Sequence, residues 1–167
     1  LHLQHATPAG QIDMRFYGAE RPGFGENTAA TYNEILTSAT GAAAMVYLHQ
    51  VHGDQIHEVK NAAPGATLVG EGDALITGDA GTALVIRTAD CIPILIFCPK
   101  TGLIAAVHAG WRGTAAGIVR QTLERMQQAF GTSGAHCRAF IGACIDECSF
   151  EVGDEVAEAF DPAFKRW

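Results

Sequence analysis

Residues 73–113 read DALITGDAGTALVIRTADCIPILIFCPKTGLIAAVHAGWRG, and this stretch decides the fold. It holds three apolar runs, at residues 84–86, 94–97 and 103–107. Short runs rich in β-formers and bounded by Gly, Pro and Asp predict buried strands. Pro99-Lys100-Thr101-Gly102 predicts a hairpin-like turn between the second and third runs. A shorter strand is expected over residues 73–77, with Gly78-Asp79-Ala80-Gly81 as a tight turn after it. The polar residues gather at the strand ends: Arg87-Thr88-Ala89-Asp90-Cys91 follows the first run, and His108 follows the third. Strand ends hold reactive side chains over one cleft, so Cys91 and His108 are read together.

Outward from this stretch the pattern changes. Residues 114–130 repeat near 3.6, with Ile118, Leu123, Met126 and Phe130 sharing a face with Ala115 and Val119. Arg120, Glu124, Arg125 and Gln128 fall on the other face, and Gly131 is the expected stop. A strand is expected over 137–141 and a helix over 155–160, opened by Gly153-Asp154. Upstream, residues 45–60 read MVYLHQVHGDQIHEVK. Period-2 alternation puts Val46, Leu48, Gln50 and His52 on one side and Tyr47, His49 and Val51 on the other. Residues 56–59 are a second candidate strand, and 61–72 read as a Gly/Ala/Pro loop. Residues 26–40 read as a helix stopped by Gly41, and 1–25 as an irregular or strand-containing edge. Strands fill the centre and helices flank it. The class is α/β or α+β, a single domain with a central mixed sheet.

Composition excludes several function classes. The 167 residues fit one domain, and 48% apolar with 17% charged residues predicts a packed core. A formal charge of −7 without a Lys/Arg cluster argues against nucleic acid. Five Cys is an odd count with no framework spacing, which points to reduced thiols and a cytoplasmic setting. No apolar stretch is long enough to span a membrane.

Three constellations can carry chemistry. His52, Cys91 and His108 offer imidazole and thiolate, the donors zinc prefers, and three protein ligands leave a fourth position open. Copper takes the same donors. The spacings, 91 − 52 = 39 and 108 − 91 = 17, match no local metal motif; two ordinary His and a core thiol fit residue types equally well. Asp73, Asp79 and Asp90 are carboxylates that can orient a ligand His or move protons. Asp79 lies in a turn, where Asp commonly caps. In His108-Ala109-Gly110-Trp111-Arg112-Gly113 two glycines permit a sharp turn, Arg112 suits phosphate or carboxylate, and Trp111 suits a planar ring. His2 and His5 are read as solvated terminal residues and His57 and His136 as surface residues, while His49 alternates with His52 and is expected to face away from it.

The words Gln50-Val51-His52-Gly53, Asp73-Ala74-Leu75-Ile76-Thr77, Thr88-Ala89-Asp90-Cys91-Ile92-Pro93, His108-Ala109-Gly110-Trp111-Arg112-Gly113, Ile141-Gly142-Ala143-Cys144-Ile145 and Phe150-Glu151-Val152-Gly153 stand in the order of one family. The chain resembles the YfiH-like laccase-domain proteins. The resemblance implies that His52, Cys91 and His108 are the metal ligands, with zinc as the usual metal and copper as the alternative. It implies purine nucleoside chemistry. That means phosphate-dependent cleavage of adenosine, inosine, guanosine or methylthioadenosine, and hydrolytic deamination of adenosine. Asp73, Asp90 and Arg112 are then the candidate catalytic residues. An older label implies copper-dependent oxidation of phenols. A multicopper oxidase of the usual kind needs many His, commonly in His-x-His pairs; this chain has 7 His and no such pair. A non-catalytic metal-binding module is a further alternative. Similar proteins have longer ends, so the resemblance implies one laccase-like domain over 1–167, shortened at one or both ends.

Overall fold

The structure, a computed structural model, describes residues 2–8, 10–17, 30, 32–33 and 41–160. The helix expected over 26–40 lies almost wholly outside the described residues.

The first described element is a hairpin, β1 (His2–Thr7) and β2 (Gly10–Arg15), in which Thr7 pairs with Gly10 across the turn. This is the strand-containing edge the N-terminal composition suggests. β3 (Ala44–His49) follows, then β4 (Ile56–Val59), β5 (Gly65–Glu71), β6 (Ala74–Thr77) and β7 (Thr82–Val85). β8 (Ile92–Phe97) and β9 (Ile104–Ala109) form an antiparallel hairpin through the Pro99–Gly102 turn, where the Gly102 amide donates to Cys98 O at 2.9 Å. Helices α1 (Trp111–Ala116) and α2 (Ile118–Phe130) come next, then a 3-10 turn (Gly134–His136), β10 (Arg138–Ile141) and α3 (Asp154–Glu158).

Two further sheets join the hairpin among the described residues. One has five strands in the order β10-β8-β9-β6-β4, antiparallel except for β6 with β4. The other has three parallel strands in the order β5-β3-β7. The expected α/β class with a mixed central sheet is what the chain adopts.

Side-chain alternation gives the five-stranded sheet two faces. Ala74, Ile76, Ile94, Ile96, Ala105, Val107 and Ala109 pack with Ile118 and Met126 of α2. Leu75, on the other face, packs with Val46, Leu48 and Val59. Ile118 and Met126 are completely buried, and each such side chain contributes about 2 kcal/mol by leaving water.

Two expectations need correction. Residues 65–71 are a strand, not part of a loop. β5 is an edge strand holding Gly65 and Gly70, and Leu68 on it is exposed, so its alternation is diluted below recognition. The expected single helix over 114–130 is two helices. Gly117, at φ +79°, ends α1 and starts α2. That left-handed conformation suits Gly and interrupts the 3.6 repeat.

Candidate metal centre

The register of the five-stranded sheet assembles most of the site. β6 pairs with β9 so that Ala74 faces Val107. One step further, Asp73 stands opposite His108, and the His108 amide donates to Asp73 O at 2.8 Å. Both side chains lie on the face away from α2. There His108 Nδ1 meets Asp73 Oδ1 at 2.7 Å. β8 pairs with β9 so that Ile92 faces Ala109, which sets Cys91 opposite Gly110, diagonal to His108 and on the same face.

The third donor comes from a loop. Alternation predicts His52 on the strand face shared with Val46 and Leu48, but β3 ends at His49. Gln50 turns its amide onto Arg87, accepting from the Arg87 amide and donating to Arg87 O, each at 2.7 Å. His52 then adopts φ +59°, rare for a side chain with a Cβ. The cost, of order 1–2 kcal/mol, is offset by Asp73. Its carboxylate accepts from the amides of Val51 at 3.4 Å, His52 at 3.0 Å and Gly53 at 2.7 Å.

As a result the ligand atoms of His52, Cys91 and His108 lie within 4.8 Å of one another, with His52 exposed, Cys91 half-buried and His108 buried. The two imidazole rings meet edge-on at 4.9 Å between centroids. Two glycines make the crowding possible. A Cβ on Gly110 would stand 3.1 Å from His52 Cδ2 and 3.4 Å from Cys91 Sγ, and one on Gly113 would stand 2.6 Å from Gly53 O. α1 therefore packs backbone to backbone on the His52–Gly53 turn.

The donor set fits a metal ion. Burial pushes the Cys91 thiol up from its usual range, and the carboxylates of Asp90 and Asp73 push it further the same way. A thiolate at that position needs a neighbouring cation. His108 supplies one lone pair, because donating its Nδ1 proton to Asp73 fixes the tautomer that leaves Nε2 free. Such a set matches a three-ligand site with a position left for a small molecule.

The remaining candidates divide. Asp73 is fully buried, and its carboxylate is engaged by the amides of residues 51–53 and by the His108 ring. Asp90 is exposed beside Cys91, and its carbonyl accepts from the Ile145 amide at 2.9 Å. Arg112 is exposed with its guanidinium carbon 4.1 Å from the Trp111 ring centroid. Asp79 does turn work: it accepts from the Asn61 amide. Of the His read as surface residues, His57 is instead half-buried, holding Glu71 O at 2.7 Å. What sequence reasoning missed is the amide cradle at 51–53; Gly53 beside a His is its only trace in the sequence. The three candidate donors open onto a cleft of about 1470 Å³, also walled by Arg15, Tyr17 and Arg87.

Known proteins share this arrangement of chain. A purine nucleoside phosphorylase of Bacteroides thetaiotaomicron is 60% identical over 88 residues, which is 53% of this chain and 33% of that protein. A protein named adenosine deaminase RL5, from an unknown prokaryotic organism, is 42% identical over 91 residues, 54% of this chain and 34% of its own. The crystal structure of a Bacillus licheniformis YfiH protein superposes with a TM-score of 0.67 at 28% identity, covering 78% of this chain and 52% of that one. The chain thus spans about a third of each of those two curated relatives and about half of the solved one. Residues 24–167 match the family described as multi-copper polyphenol oxidoreductase laccase. With that match over most of its length, and YfiH proteins among its relatives, the chain belongs to this laccase-like family.

Proposed function

We propose that this chain carries the metal centre of a purine nucleoside enzyme, one that cleaves nucleosides with phosphate and deaminates adenosine with water. The observation that carries the reading is the convergence of His52, Cys91 and His108 within 4.8 Å over a cleft large enough for a nucleoside. Relatives named purine nucleoside phosphorylase and adenosine deaminase support it.

In this proposal His52, Cys91 and His108 hold zinc, which when bound supplies a Lewis acid that activates water or polarises phosphate. Asp73 positions: it fixes the His108 tautomer and ties down the His52 turn, and its buried carboxylate leaves proton transfer at the purine to another group. Asp90, exposed next to Cys91, is the carboxylate we assign to that proton. Arg112 offers its guanidinium to a phosphate oxygen, with Trp111 holding it flat. The oxidase reading draws on the family description and on copper's affinity for the same donors. However, the one three-donor group among the described residues is few ligands for four-electron chemistry.

The test is metal analysis of protein purified without added metal, together with product analysis after adenosine with and without phosphate. About one zinc per chain is expected. Adenine should form when phosphate is present and inosine when it is absent, and Cys91→Ala should abolish both. Several coppers per chain, with oxygen consumed on phenols and no nucleoside turnover, would replace this reading with the oxidase.

A further inference from the structure

β8 carries a second cysteine, Cys98, just past its other end and on the opposite face from Cys91. Cys98 packs into the α2 side of the sheet with Ile94 and Ile96 and is 1% exposed. β10 pairs with β8 so that Arg138 faces Phe97. The next pair outward is Cys137 with Cys98.

The hydrogen-bond phase of that ladder fixes the type of pair. At the far end the Gly142 amide donates to Pro93 O at 2.9 Å, which marks Gly142–Pro93 as a hydrogen-bonded position. Antiparallel positions alternate. Counting back, Phe140–Leu95 and Arg138–Phe97 are hydrogen-bonded positions and Cys137–Cys98 is not. The two amides agree, because Cys98 N donates to Leu103 O at 2.8 Å and Cys137 N to Gly134 O at 3.0 Å, neither across the pair. Non-hydrogen-bonded partners bring their Cα atoms to roughly 4.5 Å and their side chains closest together, inside the range a disulfide spans.

The surroundings favour exchange chemistry over metal binding. Burial pushes the Cys98 thiol up, but hydrogen bonding by the Thr101 hydroxyl, the amides of Thr101 and Lys100 and the Cys137 thiol outweighs it and holds the thiol below its usual range. Cys137 is half-buried and reaches Ser133 O at 3.6 Å, so it is the member that solvent meets. The nearby ring of His136 is engaged by Lys100 Nζ at 2.8 Å on its Nε2. Among the described residues the only group of three metal-type donors is His52, Cys91 and His108.

We propose that Cys98 and Cys137 are a redox-active cross-strand dithiol, which a small-molecule disulfide converts into a disulfide stapling edge strand β10 to β8. Cys137 thiolate attacks one sulfur of the small disulfide, expelling one thiolate and leaving a mixed disulfide on Cys137. Cys98 thiolate then attacks the Cys137 sulfur, forming the Cys98–Cys137 bond and expelling the second thiolate. The pair is oxidised by two electrons, the small disulfide is reduced to two thiols, and the two protein protons pass to the departing thiolates. The desolvated Cys137 thiol, raised by its burial and by Cys98 beside it, makes the first step faster as pH increases.

The test is to incubate the native chain with glutathione disulfide, alkylate in denaturant, digest, and follow all five cysteines by mass spectrometry. The expected product is a peptide pair joined through Cys98 and Cys137, lighter by two hydrogen atoms, with Cys144 and Cys148, both exposed, still able to react. The disulfide closes 137 − 98 = 39 residues of chain, so oxidised protein should melt about 10 °C higher than reduced protein. Dithiothreitol should reverse the shift. Cys137→Ser, at a half-buried site, should fold and show no shift. Full alkylation of Cys98 and Cys137 after oxidant, or glutathione held on Cys137 without resolution, would overturn the pair. So would a cross-link that leaves the melting temperature unmoved.

Discussion

The two faces of the five-stranded sheet solve opposite problems with the same strands. On the α2 side, the β6, β8 and β9 residues are Ala, Ile and Val, and the face is held mainly by packing, with one ion pair from Arg125 of α2 to Glu58 of β4 at 3.2 Å at its margin. On the other side, Asp73 and His108 are buried at relative exposures of 0% and 2%, and Cys91 joins them at the rim. A buried polar group is tolerated only where its partners are already placed. Here the sheet register places them: Asp73 opposite His108, Cys91 opposite Gly110. The comparison teaches that one face stores stability as volume, whereas the other stores it as a connected set of hydrogen bonds that also shapes a ligand site. The consequences of breaking each face should therefore differ in kind.

The largest effect is expected at Asp73. Asp73→Ala leaves three amides at residues 51–53 and the His108 ring nitrogen without their acceptor. Stranding the buried His108 ring nitrogen and three half-buried amides should cost about 3–5 kcal/mol in urea unfolding, less whatever the His52 turn recovers by relaxing. Zinc affinity should fall as well, since two of the three ligands lose their support. Unchanged zinc affinity in a folded Asp73→Ala would break the link between the hydrogen-bond network and the metal site.

On the opposite face, Met126→Ala should cost about 2–4 kcal/mol through the cavity it leaves beneath the sheet. Zinc affinity, read by competition with a chelating dye, should stay within a factor of two or so, because residues in contact couple and distant ones add. Loss of zinc binding here would mean the two faces are not separable.

Gly113→Ala sharpens the comparison at the junction of helix and site. Its Cβ would meet Gly53 O at 2.6 Å, a backbone atom that cannot swing aside. Overpacking of this kind costs about 1–3 kcal/mol. The expected signature is a zinc affinity that falls by more than the modest stability loss suggests, since the displaced backbone is next to His52. Equal zinc affinity in Gly113→Ala and the parent would place the strain elsewhere.

The face built by packing was the more legible from sequence. Apolar runs, the Pro99–Gly102 turn and the α2 stripe announce themselves through period and composition, and β6, β8, β9 and β10 fall where those signals put them. β5 did not announce itself, because an edge strand holding Gly65 and Gly70 needs no regular alternation. The three metal-type donors could be grouped as candidates by residue type, and the family resemblance implies them as ligands; their convergence depends on register, which no local spacing encodes. Asp73 is the instructive case. It was visible as a carboxylate beside a strand, but its engagement with the turn at 51–53 depends on a positive φ at His52, a conformation a His residue does not advertise.

The smallest effect marks where neither face is involved. Arg120 and Glu124 pair at 3.0 Å on the exposed side of α2, four residues apart, with side-chain exposures of 71% and 50%. Water and salt screen such a pair, and holding two long side chains together costs entropy, so Glu124→Gln should change stability by about 0.3–0.5 kcal/mol and leave zinc affinity untouched. The change should shrink further at high ionic strength. A loss well above 1 kcal/mol in chemical denaturation would show that the solvent face of α2 supports the sheet, and the two-face account of stability would then have to admit a third contributor.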